Sequence, residues 1–169
     1  MTSYTTLQSP FGALLLVGEE RDGGIGLRSV SFADTASVAV QPDWRPDDAA
    51  FPDVVRQFDE YFAGERTEFA LDRVPSGTPF QQSVWAAVDA VPYGTTASYG
   101  EIARRVGAPA DRIRAVGAAI GANPLLIVRP CHRVVGADGG LTGYAGGIER
   151  KRWLLAHEHT QHERRRVVA

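Results

Sequence analysis

The chain contains one cysteine, in the run Arg129-Pro130-Cys131-His132-Arg133-Val134-Val135. A cysteine attacks as its thiolate, and an imidazole within reach can take the proton. Cys131 and His132 are therefore candidates for nucleophile and base. Neighbours on a strand point to opposite faces, so the pair needs a turn after Pro130, or a bridging water, to act together. His132 would need an acid to orient it, on the logic of catalytic triads. Glu158, at the end of the last expected helix, is the candidate. A single cysteine excludes an intramolecular disulfide, a CxxC redox pair and a multi-cysteine zinc site. Lone cysteines are more often small buried hydrophobes than reactive groups. On residue statistics alone, a structural cysteine beside a capping histidine is the favoured reading.

Two other segments could carry chemistry. Arg114-Ala115-Val116-Gly117-Ala118-Ala119-Ile120-Gly121-Ala122 has helical character but unusually small side chains. Gly117 costs such a helix about 1 kcal/mol relative to alanine. Small residues permit close approach of another surface, either a packed helix or a DNA groove. Gly139 to Gly147 is a glycine-rich loop whose backbone N–H groups could face a ligand. No lysine-serine or lysine-threonine pair follows it, so it is not a phosphate-binding P-loop.

The elements that position these segments fall into two halves. Thr5 to Leu7 and Ala13 to Val17 read as strands around the turn Ser9-Pro10-Phe11-Gly12. Ile25 to Phe32 alternates loosely and completes a small antiparallel meander. Residues 34–52 read as a loop, Asp53 to Phe62 as a helix ending at Gly64, and Thr67 to Leu71 as an edge strand. Arg73 to Thr78 reads as a linker. Thr78-Pro79-Phe80-Gln81 is a capping box with proline at the first helical position. Ser98-Tyr99-Gly100-Glu101 is a second box, opening a helix through Val106. After a turn at Gly107, a third helix spans about Asp111 to Ile120, with Gly121 as its cap. Such a pair with a tight turn is a helix-turn-helix signal, weak by itself. Leu125 to Val128 reads as a strand and Ile148 to His157 as a final helix. Residues 159–169 read as a frayed tail.

Composition places the chain among ordinary globular proteins, with 44% hydrophobic and 22% charged residues. No apolar run reaches the roughly 18–20 residues of a membrane helix. MTSYTTLQSPFG lacks a basic segment followed by an apolar stretch, so we expect no secretory signal. The lone thiol suits a cytoplasmic setting. The net charge of −2 hides an asymmetry. Residues 1–76 hold six arginines against thirteen acids, and residues 77–169 hold twelve basic residues against seven acids. The basic second half could face a polyanion, although scatter of surface charge is the plainer explanation.

In combination these segments become specific. RAVG, NP, PCHRVV, GYAGG and LLAHE, with FQQSVW and SYGEIA upstream, resemble in order and register the methylated-DNA–protein-cysteine methyltransferases, or O6-alkylguanine-DNA alkyltransferases. SPFG and DEYFAGE match less distinctively. The resemblance implies an α+β fold. Residues 1–76 would form a small antiparallel sheet domain, ribonuclease H-like. Residues 77–169 would form a winged-helix-like DNA-binding and alkyl-acceptor domain. It implies irreversible single-turnover transfer of an alkyl group from O6-alkylguanine to Cys131. His132 would deprotonate Cys131 through a water, and Glu158 would orient His132. Tyr99 would hydrogen-bond the departing guanine and crowd the 3′ phosphate. Arg114 would fill the gap left in the base stack. Ala115, Gly117 and Gly100 would lie against DNA, and Asn123 would tie the helix pair to the cysteine segment. The Cys131 and Val134 carbonyls would accept from the guanine amino group, and Tyr144 and Ala145 would line the pocket. No cofactor and no metal are implied. The implied partner is double-stranded DNA containing O6-alkylguanine, with O4-alkylthymine left open, bound by a monomer away from membranes.

The chain departs from the family pattern at Arg129, where an apolar residue is usual, in one extra residue between Gly107 and Arg114, and in Ala145 where some members carry serine. Two other classes stay open on the residues themselves. One is a DNA-binding protein that recognises alkylation without removing it. The other is a cysteine hydrolase, which would leave the glycine loop and the RAVG helix unexplained.

Overall fold

A computed structural model describes residues 1–35 and 38–168. The chain divides into two compact units, Met1–Pro75 and Ser76–Ala169.

The first unit is built on β1 (Thr2–Ser9), β2 (Gly12–Arg21) and β3 (Gly24–Phe32). They form an antiparallel sheet with β2 in the middle. The apolar run Leu14 to Val17 is buried throughout, as expected of a strand covered on both faces. The loose alternation in β3 has a specific cause. Val17 pairs with Ser29 but Gly18 pairs with Leu27, so Arg28 is an extra residue in a β-bulge. The bulge resets the period of two, and Leu27 and Val30 are both buried although three residues apart.

The expected loop 34–52 is partly ordered, its residues 36 and 37 lying outside the described set. β4 (Arg45–Pro46) pairs in parallel with β1, adding one short parallel edge to the sheet, and Asp48–Ala50 forms a 3₁₀ turn capped by Asp47. α1 (Pro52–Phe62) buries Val54, Phe58 and Tyr61, and Phe69 packs on the last two rings. No strand forms over Thr67 to Leu71. The Gln57 amide takes the place of a strand partner there, donating to Ala70 O and accepting from Ala70 N. The edge pairing falls later. Leu27 N donates to Asp72 O and Val74 N to Leu27 O, so the first part of the expected linker is bound to β3.

The second unit packs α2 (Pro79–Asp89), α3 (Tyr99–Arg105) and α4 (Ile113–Gly121) around Val84, Trp85, Ile102, Val116 and Ile120. The Thr78 capping box is present in both directions. At Ser98 one direction is formed, Glu101 N donating to Ser98 Oγ. The indole of Trp85 donates to Ala119 O at 2.8 Å and so pins α2 to α4. Gly121 is the last helical residue and Ala122 the cap, one position later than expected.

Leu125 to Val128 is not a strand. Leu126 bridges Arg129, and Ile127 sits at φ 72°. A β-branched residue rarely adopts that conformation. It is held there by two tight backbone bonds, Val128 N to Leu126 O and Arg129 N to Leu125 O, and by burial of the Ile127 side chain. Cys131–Arg133 forms a 3₁₀ turn leading into β6 (Val134–Val135), which pairs with β5 (Ala97–Ser98).

The tail is not frayed. α5 runs unbroken over Ile148–Val168, and Ala169 lies outside the described residues. No glycine or proline interrupts residues 148–168. His162 also lies over Gly94, where an added Cβ would come within 2.6 Å of its ring. That contact anchors the extension. No described helix is long and apolar enough to cross a membrane.

Candidate active site

Cys131 is buried, on the wall of a cavity of about 200 Å³ shared with Tyr99, Gly117, Ile120, Gly121, Gly143, Tyr144 and Ala145. A larger groove of about 520 Å³ lies in the first unit, between Arg21–Ile25 and Ala49–Val54, and holds no cysteine or histidine. The chemistry therefore belongs to the smaller cavity.

Burial pushes the Cys131 thiol up to about 11; hydrogen bonding from Asn123 and the charges of Lys151 and Arg129 act against that rise. An unassisted thiol in this position would carry little thiolate at neutral pH. Cys131 and His132 share a 3₁₀ turn and not a strand, and His132, Glu158 and Asn123 lie behind the residues that line the cavity. His132 is wholly buried, and its Nε2 lies 2.7 Å from Glu158 Oε2. Arg133 holds the same carboxylate twice, Nε to Oε1 at 2.7 Å and Nη2 to Oε2 at 3.1 Å. Its Nη1 donates to Val91 O at 2.8 Å, and its guanidinium faces the Tyr93 ring. Burial alone would raise the Glu158 carboxyl. The His132 and Arg133 interactions outweigh it and hold that carboxyl well below the usual range. A carboxylate only accepts, so the imidazole donates from Nε2. Nδ1 is buried and makes no hydrogen bond among the described residues. The neutral ring thus keeps its basic lone pair on Nδ1.

Asn123, just beyond α4, stitches the strained turn to the cysteine. Its Oδ1 accepts from Leu125 N at 2.9 Å. Its Nδ2 faces Cys131 Sγ and Arg129 O, each at 3.1 Å, and Leu125 O at 3.4 Å. The Tyr99 hydroxyl, on the cavity wall, accepts from Thr142 Oγ1 at 3.4 Å. The Tyr144 hydroxyl is buried with no partner among the described residues, and burial, then the Cys131 charge, raises its pKa well above normal.

Not every expected residue reaches the cavity. Val134 is fully buried and absent from the wall, and its carbonyl already accepts from Lys151 Nζ at 2.7 Å. The Cys131 carbonyl accepts from Val134 N. Each carbonyl retains one further lone pair. Arg114 and Gly100 lie outside the cavity lining, Arg114 exposed and Gly100 and Ala115 partly so. An added Cβ at Gly117 would meet nothing within 4 Å.

Three residues that hold the site together carry no such role in the sequence. Arg133 reads there only as part of the PCHRVV run. Arg129 reads only as a departure from the pattern. Lys151 is fully buried, and its Nζ donates to Val134 O and Thr142 O at 2.7 Å and to Gly143 O at 3.4 Å. Burial lowers its pKa, partly offset by the Cys131 charge. The signal was available: it is the sole lysine in an arginine-rich chain. Three converging carbonyls suit a compact ammonium with three protons better than a planar guanidinium.

Both units match one family. Residues 2–72 match the 6-O-methylguanine DNA methyltransferase ribonuclease-like domain, and residues 79–160 its DNA binding domain. The chain belongs to the 6-O-methylguanine DNA methyltransferase family. Among its relatives, the methylated-DNA–protein-cysteine methyltransferase of Mycobacterium tuberculosis is 48% identical over 95% of this chain and 94% of its own. That of Methanosarcina acetivorans is 45% identical over 92% and 97%. The crystal structure of Mycobacterium tuberculosis OGT in complex with DNA superposes with a TM-score of 0.85 at 48% identity, covering 94% of each chain. An O6-methylguanine-DNA methyltransferase from Pyrococcus kodakaraensis gives 0.58 at 26% identity, covering 94% and 99%. The two-unit α+β architecture of this methyltransferase-family chain is thus the family fold.

Proposed function

We propose that this chain repairs DNA by moving an alkyl group from O6 of guanine to Cys131, once per molecule. One observation carries the reading. The Cys131 thiol lies on the cavity wall, and the next residue in its 3₁₀ turn is an imidazole whose Nε2 is committed to Glu158 and whose Nδ1 has no hydrogen-bond partner among the described residues. His132 Nδ1 takes the thiol proton through a bridging water. Sγ attacks the alkyl carbon in line, the carbon–O6 bond breaks, and its electron pair goes to the guanine. The released guanine takes one proton through the Tyr99 hydroxyl, which solvent reprotonates, and the proton that His132 took from the thiol returns to solvent, so that protons balance. The product is a thioether. With one cysteine in the chain, no second thiol exists to resolve it.

In this reading residues 77–169 carry the DNA-binding and acceptor functions, and residues 1–76 form the accompanying sheet domain. A cavity of about 200 Å³ is smaller than the roughly 300–1,000 Å³ of drug-sized sites, which suits one base. Because Sγ is buried, the base must leave the duplex to reach it. The α3–α4 pair acts as a helix-turn-helix, with Ala115, Gly117 and Gly100 against the minor groove and Arg114 in the vacated stack. Asn123 holds the helix pair to the cysteine turn. Tyr144, Ala145 and the second lone pairs of the Cys131 and Val134 carbonyls contact the extruded base. The protein works as a monomer in the cytoplasm.

The test is transfer from duplex DNA carrying radiolabelled O6-methylguanine. We expect one label per chain, on the peptide containing Cys131, and no further turnover with excess substrate. Catalytic turnover, or label elsewhere, would overturn the proposal. Flipping has its own test. Stacking against a side chain is worth about 1–3 kcal/mol, so Arg114→Ala should slow repair of duplex substrate by about 5- to 150-fold. Reaction with free O6-benzylguanine, which needs no extrusion, should change less than about twofold. Equal losses on both substrates would remove Arg114 from the flipping step.

A further inference from the structure

Arg129 lies where its charge can reach the acceptor thiol. Its side chain is 12% exposed. The guanidinium rests on the Trp85 ring, 4.6 Å from the centroid. Nε lies 3.6 Å from the Asp89 carboxylate, and Nη1 lies 3.5 Å from Asn123 Oδ1. The far side of the same amide faces Cys131 Sγ at 3.1 Å.

An asparagine side chain can point either way, and its neighbours choose. In the observed orientation Oδ1 meets two donors, Leu125 N and Arg129 Nη1, and Nδ2 meets three acceptors. The reversed amide would set NH₂ against both donors and turn Oδ1 toward the sulfur. Arg129 therefore penalises the orientation that would repel a thiolate. A cation at Oδ1 also polarises the amide and strengthens the N–H bonds on its far side. A thiolate gains more from that donor than a thiol does.

We propose that Arg129 is a positioning residue for the Cys131 thiolate, acting through Asn123 by selecting its amide orientation and by placing positive charge behind it. The proposal rests on Cys131 being the alkyl acceptor. The other charged and titratable groups around Cys131 are Lys151 and Glu158 from α5, Tyr144 from the glycine loop, Tyr99 from α3, and His132 and Arg133 from its own turn. Asp89 from α2 faces Arg129 and opposes it.

The experiment follows the pH dependence of Cys131 alkylation by two probes, free O6-benzylguanine and iodoacetamide, between about pH 7 and pH 12, a range that runs from ordinary thiol titration past the value of about 11 to which burial pushes Cys131. In Arg129→Met the profile should move to higher pH by about one unit. A one-unit rise lowers the thiolate fraction about tenfold at neutral pH. Greater nucleophilicity of the more basic thiolate restores about threefold, leaving a net loss of about threefold. Arg129→Lys should recover part of the shift. Asp89→Asn, on a partly exposed side chain, should move the profile the other way, because one negative charge facing Arg129 is then removed. A purely structural role would scale the rate equally at every pH and would leave Asp89→Asn unshifted. Either result would overturn the proposal, and Asp89→Asn decides alone if Arg129→Met does not fold. Iodoacetamide separates this proposal from the functional one. If wild-type protein ignores O6-benzylguanine while the iodoacetamide profile still shifts, the alkyl-acceptor reading fails and the Arg129 effect on the thiolate stands.

Discussion

Cys131→Ala is expected to abolish alkyl transfer while leaving binding to duplex DNA within about twofold of wild type. Deleting a nucleophile from an assembled site costs on the order of 10⁶-fold, and nothing here can substitute. The chain has no other cysteine and one methionine, at residue 1. The His132 imidazole is committed to Glu158 and would not replace the thiol as a stable acceptor. The fold should survive. Without Sγ, Asn123 Nδ2 still has Arg129 O and Leu125 O as acceptors, so no buried donor is orphaned. The stability change should stay near the roughly 1 kcal/mol typical of single substitutions. Paired single-turnover transfer and binding measurements make the check. Retained transfer would exclude Cys131 as acceptor. In the wild type, binding without transfer would mark a protein that recognises alkylated DNA and does not repair it.

Glu158→Ala should damage stability and rate together. Glu158 is 1% exposed and accepts hydrogen bonds from His132 Nε2 and from Arg133 Nε and Nη2. Its removal leaves the buried Arg133 charge without that carboxylate, held by Val91 O and the Tyr93 face. Breaking a buried pair in this way costs about 3–5 kcal/mol, a large share of the roughly 5–15 kcal/mol that keeps a domain folded. The imidazole also loses the acceptor that keeps its proton on Nε2. General-base assistance is worth about 10²–10⁴-fold, and we expect transfer to slow by at least about 100-fold. The acid limb of stability should change as well. The folded-state pKa of Glu158 lies below its ordinary value of 4.5. The unfolded chain therefore takes up that proton first as pH falls. The stabilisation is complete above pH 4.5 and is lost progressively below it. Chemical denaturation between about pH 3 and pH 6, the range that spans ordinary carboxylate titration, should show a steep loss in wild type and a flatter one in the variant. An unchanged transfer rate would remove His132 from the base role.

Local sequence carried much of this. The Thr78 cap, the strands around Pro10-Phe11 and the apolar stripe of α1 are decided by neighbours three or four residues apart, where periodicity and capping chemistry operate. It misled where a distant partner decided the backbone. Leu125 to Val128 has strand composition, but the Asn123 amide and the Asn123–Arg129 closure bend it into a turn. Thr67 to Leu71 has strand composition, but Gln57 takes its hydrogen bonds. Residues 159–168 look like a polar tail, but His162 finds a seat on Gly94, a contact spanning more than sixty residues of chain.

The site divides the same way. Cys131, His132 and Glu158 could be named from residue types and order, because a nucleophile, a base and an orienting acid are chemically distinctive and PCHRVV is a specific run. That Arg133 shares Glu158 with His132, that Lys151 ties the glycine loop to β6, and that Arg129 stands behind Asn123 were decided only by tertiary structure. These are buried charges whose meaning depends on which carbonyl or carboxylate lies within about 3 Å, the reach of a hydrogen bond. Sequence spacing carries no such distance, since 25 residues separate Arg133 from Glu158 and 17 separate Val134 from Lys151. The chain alone thus determined which atoms could react, and the packing decided which charges hold them ready.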